Sequence, residues 1–169
     1  MGGGFVFMDS AAAAWDVFRA EADATPSVSL RAAVALDEYR EPPAFDPILD
    51  APDDEYLERF AFDGQSFLDT PSWLHYLPYL IDYAVRHLGD SRSMVVEALL
   101  WSLRPPDRTP PRLAALAPEQ EQVIVAFLER LVFGDEPMSE RDFAAQVMEE
   151  WWMPGALYRP SSGAGRDPL

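Results

Sequence analysis

Residues 67–87 read FLDTPSWLHYLPYLIDYAVRH, and no other stretch limits the fold as tightly. Thr70-Pro71 is a helix start, with Thr as N-cap and Pro at the first helical position, where the missing N–H costs nothing. From there Leu74, Leu77, Ile81, Ala84 and Leu88 recur at helical spacing. The pattern predicts a helix to about residue 88, with Gly89 as its C-cap. Pro78 lies inside it. A proline there has no N–H and crowds the carbonyl of Leu74, so a kink or a break into two helices is expected.

The same signals partition the rest of the chain. An apolar line through Ala11, Ala14, Trp15, Phe18 and Ala22 predicts a first helix over 10–24, stopped by Thr25-Pro26. Ser29 caps a second helix to about residue 39. Residues 42–54 contain four prolines and four aspartates and predict a loop, with a helical turn near residues 46–49. Asp53 is placed to cap a short helix over 54–60, and Phe62-Asp63-Gly64-Gln65 reads as a turn. Asp90 or Ser91 starts a helix ending near Leu103. Residues 104–111 hold four prolines and cannot be helical throughout. Pro118 opens a helix with Val123, Ile124, Phe127, Leu128 and Leu131 on one stripe, ended by Gly134. Ser139-Glu140-Arg141-Asp142 resembles a capping box ahead of a last helix with Phe143, Ala144, Val147, Met148 and Trp151 on one face. Phe5-Val6-Phe7 and Phe60-Ala61-Phe62 are too short to support a sheet. The expectation is all-α: one compact domain of six or seven helices over residues 9–158, an N-terminal extension at 1–8, and a mobile Ser/Gly/Pro-rich tail at 159–169.

Composition removes whole classes of function. The chain of 169 residues has no cysteine, lysine or asparagine. Disulfides, thiolate zinc sites, cysteine catalysis, Schiff-base chemistry and the P-loop lysine are therefore excluded. The absence of Lys and Asn, which have AT-rich codons, points to a GC-rich bacterial source. The N-terminal MGGGFVFM lacks a basic region and a long apolar core, so it is not read as a signal peptide. No apolar run is long enough to cross a bilayer. The expected location is cytoplasmic. The formal net charge of −16 disfavours nucleic acid and anionic membranes and favours a basic protein partner.

Candidate chemistry is sparse. His75, Tyr79, Asp82 and Arg86 share one helix face, and an enzyme using carboxylates and His75 is one alternative. Two helical turns separate His75 from Asp82, about 10 Å along the axis, too far for a direct hydrogen bond. The other reading is an exposed stripe with an Asp82–Arg86 pair at i, i+4. His75 and His87 lack metal-ligand spacing, so no metal and no cofactor is expected. The acidic residues Asp46, Asp50, Asp53, Asp54, Glu55 and Glu58 form either a focused surface for a basic partner or a solvated face. One of Trp151 and Trp152 should face the core. Trp152 is the candidate partner anchor, or else is covered by the tail through Leu157 and Tyr158. A scaffold or oligomerisation module built on Trp152 and the aromatic helix is a further alternative.

Three segments carry a resemblance: VSLRAAVALDEYR at 28–40, SFLDTPSWLHYLPYLIDYAVR at 66–86 and LAPEQEQVIVAFLERL at 116–131. In this order they resemble a family of small bacterial proteins known as a domain of unknown function, over about residues 10–133. The most specific element is Tyr76-Leu77-Pro78 following Phe67-Leu68-Asp69. The resemblance implies a fold rather than a site, since its members have no established activity to transfer. By analogy, small acidic proteins of this kind look like immunity or accessory proteins encoded beside secreted toxins. The expected function is thus a non-enzymatic acidic binding protein that neutralises a basic partner.

Overall fold

The structure is a computed structural model that describes residues 7–90 and 92–160. Among them are eight α-helices and no strand: α1 Ser10–Val17, α2 Arg19–Asp23, α3 Leu30–Asp37, α4 Asp54–Gly64, α5 Thr70–Arg86, α6 Val95–Ser102, α7 Pro118–Phe133 and α8 Arg141–Val147. The expected first helix is divided at Phe18, which gives the additional element. Phe18 is buried and leaves helical geometry at φ −109°.

Helix α5 is the hub. It packs against α1, α2 and α6, while α3 lies on α4, α4 on α6, α1 on α7, and α7 on α8. Trp73, Tyr76, Leu77, Leu80, Ile81, Tyr83 and Ala84 of α5 are all buried in one core shared with the other helices. The helix runs unbroken through Pro78, which is itself buried. A proline in a helix interior costs about 3 kcal/mol. Burying one large apolar side chain returns about 1.5–3 kcal/mol, so the many buried on α5 outweigh that local penalty.

Side-chain caps set the starts of α1, α3, α4 and α5. Asp69, not Thr70, caps α5, accepting from Ser72 N at 3.0 Å, so Pro71 falls in the first turn. Thr70 is thereby free to donate to the carbonyl of Pro111 at 2.8 Å. Ser29 and Asp53 cap α3 and α4 through Ala32 N and Tyr56 N, each at 2.9 Å. The segment at 139–142 forms no capping box. Helix α8 starts at Arg141, and no side chain caps it. Nor does Gly64 make the expected turn, because α4 runs through it. A Cβ there would sit 2.9 Å from the carbonyl of Leu30, so the glycine permits the close crossing of α3 and α4.

The C-terminal end corrects the reading of the two tryptophans. Residues 148–152 widen into a π-type turn, and both Trp151 and Trp152 are buried. Trp152 Nε1 donates to the carbonyl of Leu103 at 2.9 Å. The chain then folds back, with Leu157 N and Tyr158 N bonded to the carbonyls of Glu149 and Glu150 at 3.0 and 3.1 Å. The backbone of this segment is pinned while the side chains of Leu157 and Tyr158 stay exposed. Arg159 pairs with Glu121, so the anchored chain extends into the expected tail. Residues 161–169 and 1–6 lie outside the described residues.

Candidate functional site

The loop between α3 and α4 carries three of the six candidate acids, Asp46, Asp50 and Asp53, and one ion pair with a buried carboxylate holds it. Arg31, on the first turn of α3, donates from Nε and Nη2 to both oxygens of Asp50 at 3.0 and 2.9 Å. The same Nη2 reaches the carbonyl of Ala44 at 3.2 Å. Asp50 also accepts from the hydroxyl of Tyr56 at 2.9 Å and from Asp46 N at 2.9 Å. Asp50 is 2% exposed. Burial opposes its charge, but Arg31, the Asp46 amide and the Tyr56 hydroxyl outweigh that and hold its carboxyl below the usual range. Tyr56 lies 3.5 Å from the hydroxyl of Tyr76, which accepts from Leu30 N at 3.2 Å. One polar network therefore ties the loop to α3, α4 and α5.

What the clasp presents outward is both acidic and apolar. Tyr39 is 99% exposed, Ile48 85% and Leu49 59%, with Leu36 and Phe45 also at the surface. Tyr39 has φ +59°, in the left-handed region. It stands at the turn that ends α3, where Arg40 N bonds to the carbonyl of Ala35 at 2.8 Å and Tyr39 N to that of Leu36 at 3.1 Å. This is the Schellman pattern, whose left-handed position is normally glycine. A side chain there costs about 1–2 kcal/mol, and this tyrosine makes no compensating burial. Asp46 accepts from Ile48 N and Leu49 N at 2.8 and 3.0 Å, in an Asx turn that fixes the two apolar residues outward. Those amides hold its carboxyl below the usual range, that of Leu49 foremost.

The predicted acidic residues separate by environment. Asp50 is interior and cannot meet a partner. Asp54 is tied down: Arg86 donates to its two oxygens at 3.0 and 2.7 Å, and His87 Nε2 lies 3.0 Å away. Arg86, with His87 adding, pulls the Asp54 carboxyl down to about 2. Asp53 is exposed but serves as the α4 cap. Glu58 is exposed and accepts from the hydroxyl of Tyr83 at 2.6 Å. Glu55 is exposed on the first turn of α4. Trp152, the expected anchor, is 3% exposed and unavailable.

The aromatic helix offers no exposed polar stripe. His75 is buried, with Nδ1 2.9 Å from the carbonyl of Glu21 and its ring edge-on to Tyr76. Burial holds it below the ordinary imidazole range. The groups that act on its ionisation are backbone carbonyls of Glu21 and Ala24, not carboxylates. The Asp82–Arg86 bond exists at 3.1 Å, but it is one arm of an arginine that also grips Asp54. Among the described residues no cluster of His, Asp and Glu could hold a metal ion, and no helix is long and apolar enough to cross a membrane.

Sequence reasoning missed Arg31, Tyr39, Ile48 and Leu49. The signal available was an apolar pair, Ile48-Leu49, inside a Pro/Asp stretch, and a helix ending at Tyr39 without a glycine. A model of a family of unknown function, DUF6714, matches residues 9–156. No curated protein and no solved structure matches the chain.

Proposed function

The chain belongs to this family of unknown function, and we propose that it is a non-enzymatic binding protein whose α3–α4 loop docks a basic protein partner. The observation that carries the reading is Tyr39, an almost wholly exposed aromatic in a backbone position that favours glycine. Strain of this kind persists where something else selects for the side chain. Tyrosine is an effective anchor because it offers a large contact area at low entropic cost. Ile48 and Leu49 add exposed apolar area, and Asp37, Glu41, Asp53 and Glu55 are exposed acids in the same stretch of chain. Exposed apolar side chains supply affinity, and the acids supply charge steering. A cytoplasmic immunity or accessory role, with the basic surface of a secreted toxin as partner, fits this chemistry.

The experiment is a binding titration with a candidate basic partner at two salt concentrations. Tyr39→Gly with Ile48→Ser should weaken binding by at least tenfold, mainly through faster dissociation. Glu41→Ser with Glu55→Ser should slow association and flatten the salt dependence. Unchanged affinity in the apolar double variant would sink the reading.

A further inference from the structure

A second proline-rich loop, residues 104–112, has the opposite electrostatic character. Its arginines Arg104, Arg108 and Arg112 line one cavity of about 160 Å³, together with Asp107 and Ser102. Arg104 is neutralised: Nε and Nη2 donate to the two oxygens of Glu150 at 2.9 and 2.6 Å. Among the described residues, no carboxylate pairs with Arg108 or Arg112. Arg108 Nη1 reaches the carbonyl of Ser66.

Arg112 is 2% exposed and lies over the ring of Trp73, 5.6 Å from its centroid. Its Nη2 donates to the carbonyls of Gln65 and Leu68, both at 2.7 Å. Its Nε is buried and has no hydrogen-bond partner among the described residues. A guanidinium has five N–H donors and keeps its charge. A buried, charged donor left unpaired is costly. Asp107 does not pair with it, because its own oxygens accept from Arg108 N, Arg112 N, Leu113 N and Ala114 N at 2.8–2.9 Å. Burial, with Arg108 adding, pulls the Arg112 guanidinium down to about 9, although the charges of Asp69 and Asp107 act the other way.

We propose that this cavity is a phosphate site, taking inorganic phosphate or the terminal phosphoryl group of a small ester. Two guanidiniums without a carboxylate partner among the described residues supply positive charge and planar donor forks, and the oxygens of Asp107 in the same lining are taken up by backbone amides. A phosphate offers acceptor oxygens to both guanidinium forks at once, and a single carboxylate to only one. The volume suits a phosphoryl group and is below the roughly 300–1,000 Å³ of pockets that hold drug-sized ligands. The site is independent of the docking surface, and it concentrates positive charge in a chain whose net charge is −16.

The test is calorimetric titration of the full chain with inorganic phosphate, glycerol 3-phosphate and acetate. Ionic strength is held constant with sodium chloride, because screening alone stabilises so acidic a chain. Phosphate should bind saturably with a Kd of about 1 mM or tighter. Acetate should bind at least tenfold more weakly. Arg108→Gln should reduce phosphate affinity about tenfold, and Arg112→Gln should abolish saturable binding. Glycerol 3-phosphate binding as tightly as phosphate would identify an ester site, and failure of the ester alone would identify the free ion. Arg108→Gln decides the matter even if Arg112→Gln does not fold, because the Arg108 side chain is exposed. Absence of saturable phosphate binding, equal affinity for acetate, or wild-type affinity in Arg108→Gln would each overturn the proposal. Glu41→Ser with Glu55→Ser should leave phosphate binding intact, so failure of the docking surface and failure of this site are distinguishable.

Discussion

The two proline-rich loops solve the same problem with charges reversed. In the α3–α4 loop a buried carboxylate, Asp50, meets a full complement of donors, and the remaining acids and apolar side chains turn outward. In the 104–112 loop a carboxylate again organises the backbone, with Asp107 accepting from four amides, but the buried charge beside it is an arginine with a donor left over. The first loop is electrostatically closed inside and displays its chemistry on the surface. The second is incomplete inside and displays little. A loop of the first kind suits a protein partner, and a loop of the second kind suits a small ion.

The comparison is broken most directly at Asp50. Asp50→Ala should destabilise the fold by about 3 kcal/mol, the low end for removing one partner of a buried pair, because the Arg31 side chain is 21% exposed and keeps some water. Urea unfolding at neutral pH measures it. A change under about 0.5 kcal/mol, the ordinary size for a surface substitution, would mean that the loop is not held by the clasp. Asp107→Ala should cost slightly less, about 2 kcal/mol, since some of the amides it leaves can find water. It should also weaken phosphate binding, despite removing a negative charge, because the loop that positions Arg108 and Arg112 loses its organiser. Tighter phosphate binding in Asp107→Ala would show that its charge matters more than its hydrogen bonds.

Tyr39→Gly should move stability the other way. Relieving the left-handed strain, less the entropy glycine loses on folding, should stabilise by up to about 1 kcal/mol, read from the urea midpoint at constant slope. The same change should weaken partner binding. Opposite signs for stability and binding are what a functional side chain in a strained position produces. If Tyr39→Gly destabilised the fold, Tyr39 would be a structural residue and the docking surface would lose its centre.

Helical periodicity made the architecture legible, because the spacing of Leu74, Leu77, Ile81 and Ala84 is a local property of the sequence. Pro118 and Gly134 bound helix α7 for the same reason. Other features depend on contacts distant in the chain. The burial of His75 needs the carbonyl of Glu21 from another helix. The inward turn of Asp50 needs Arg31, nineteen residues away, and the burial of Trp152 needs the carbonyl of Leu103. Composition gave six equivalent-looking carboxylates, and only tertiary partners distinguish Asp50 and Asp54 from Glu55. Arginines 104, 108 and 112 were legible as residues of a proline-rich loop but not as a cavity, since nothing local says which donors remain unpaired.

Asp54 provides the smallest and most discriminating test, because it sits at the acidic surface yet is paired like an interior residue. Its carboxyl lies at about 2, against an ordinary 3.8. A depressed carboxyl contributes stability that is present above the unfolded value and lost as pH falls through the folded one. The contribution should therefore be complete above about pH 4 and disappear towards pH 2. Solvent reaches the pair, with 40% of the Asp54 side chain exposed, so screening keeps its worth below about 1 kcal/mol. Asp54→Asn should lower stability by that amount at pH 7, and the difference from wild type should shrink towards pH 2 and vanish below it. High salt should shrink it further. A cost at pH 7 comparable to that of Asp50→Ala would mean that Asp54 is held for the fold as firmly as the buried Asp50. A small, pH-dependent cost instead leaves the edge of the acidic surface a place where charge can be exchanged between Arg86 and a basic partner.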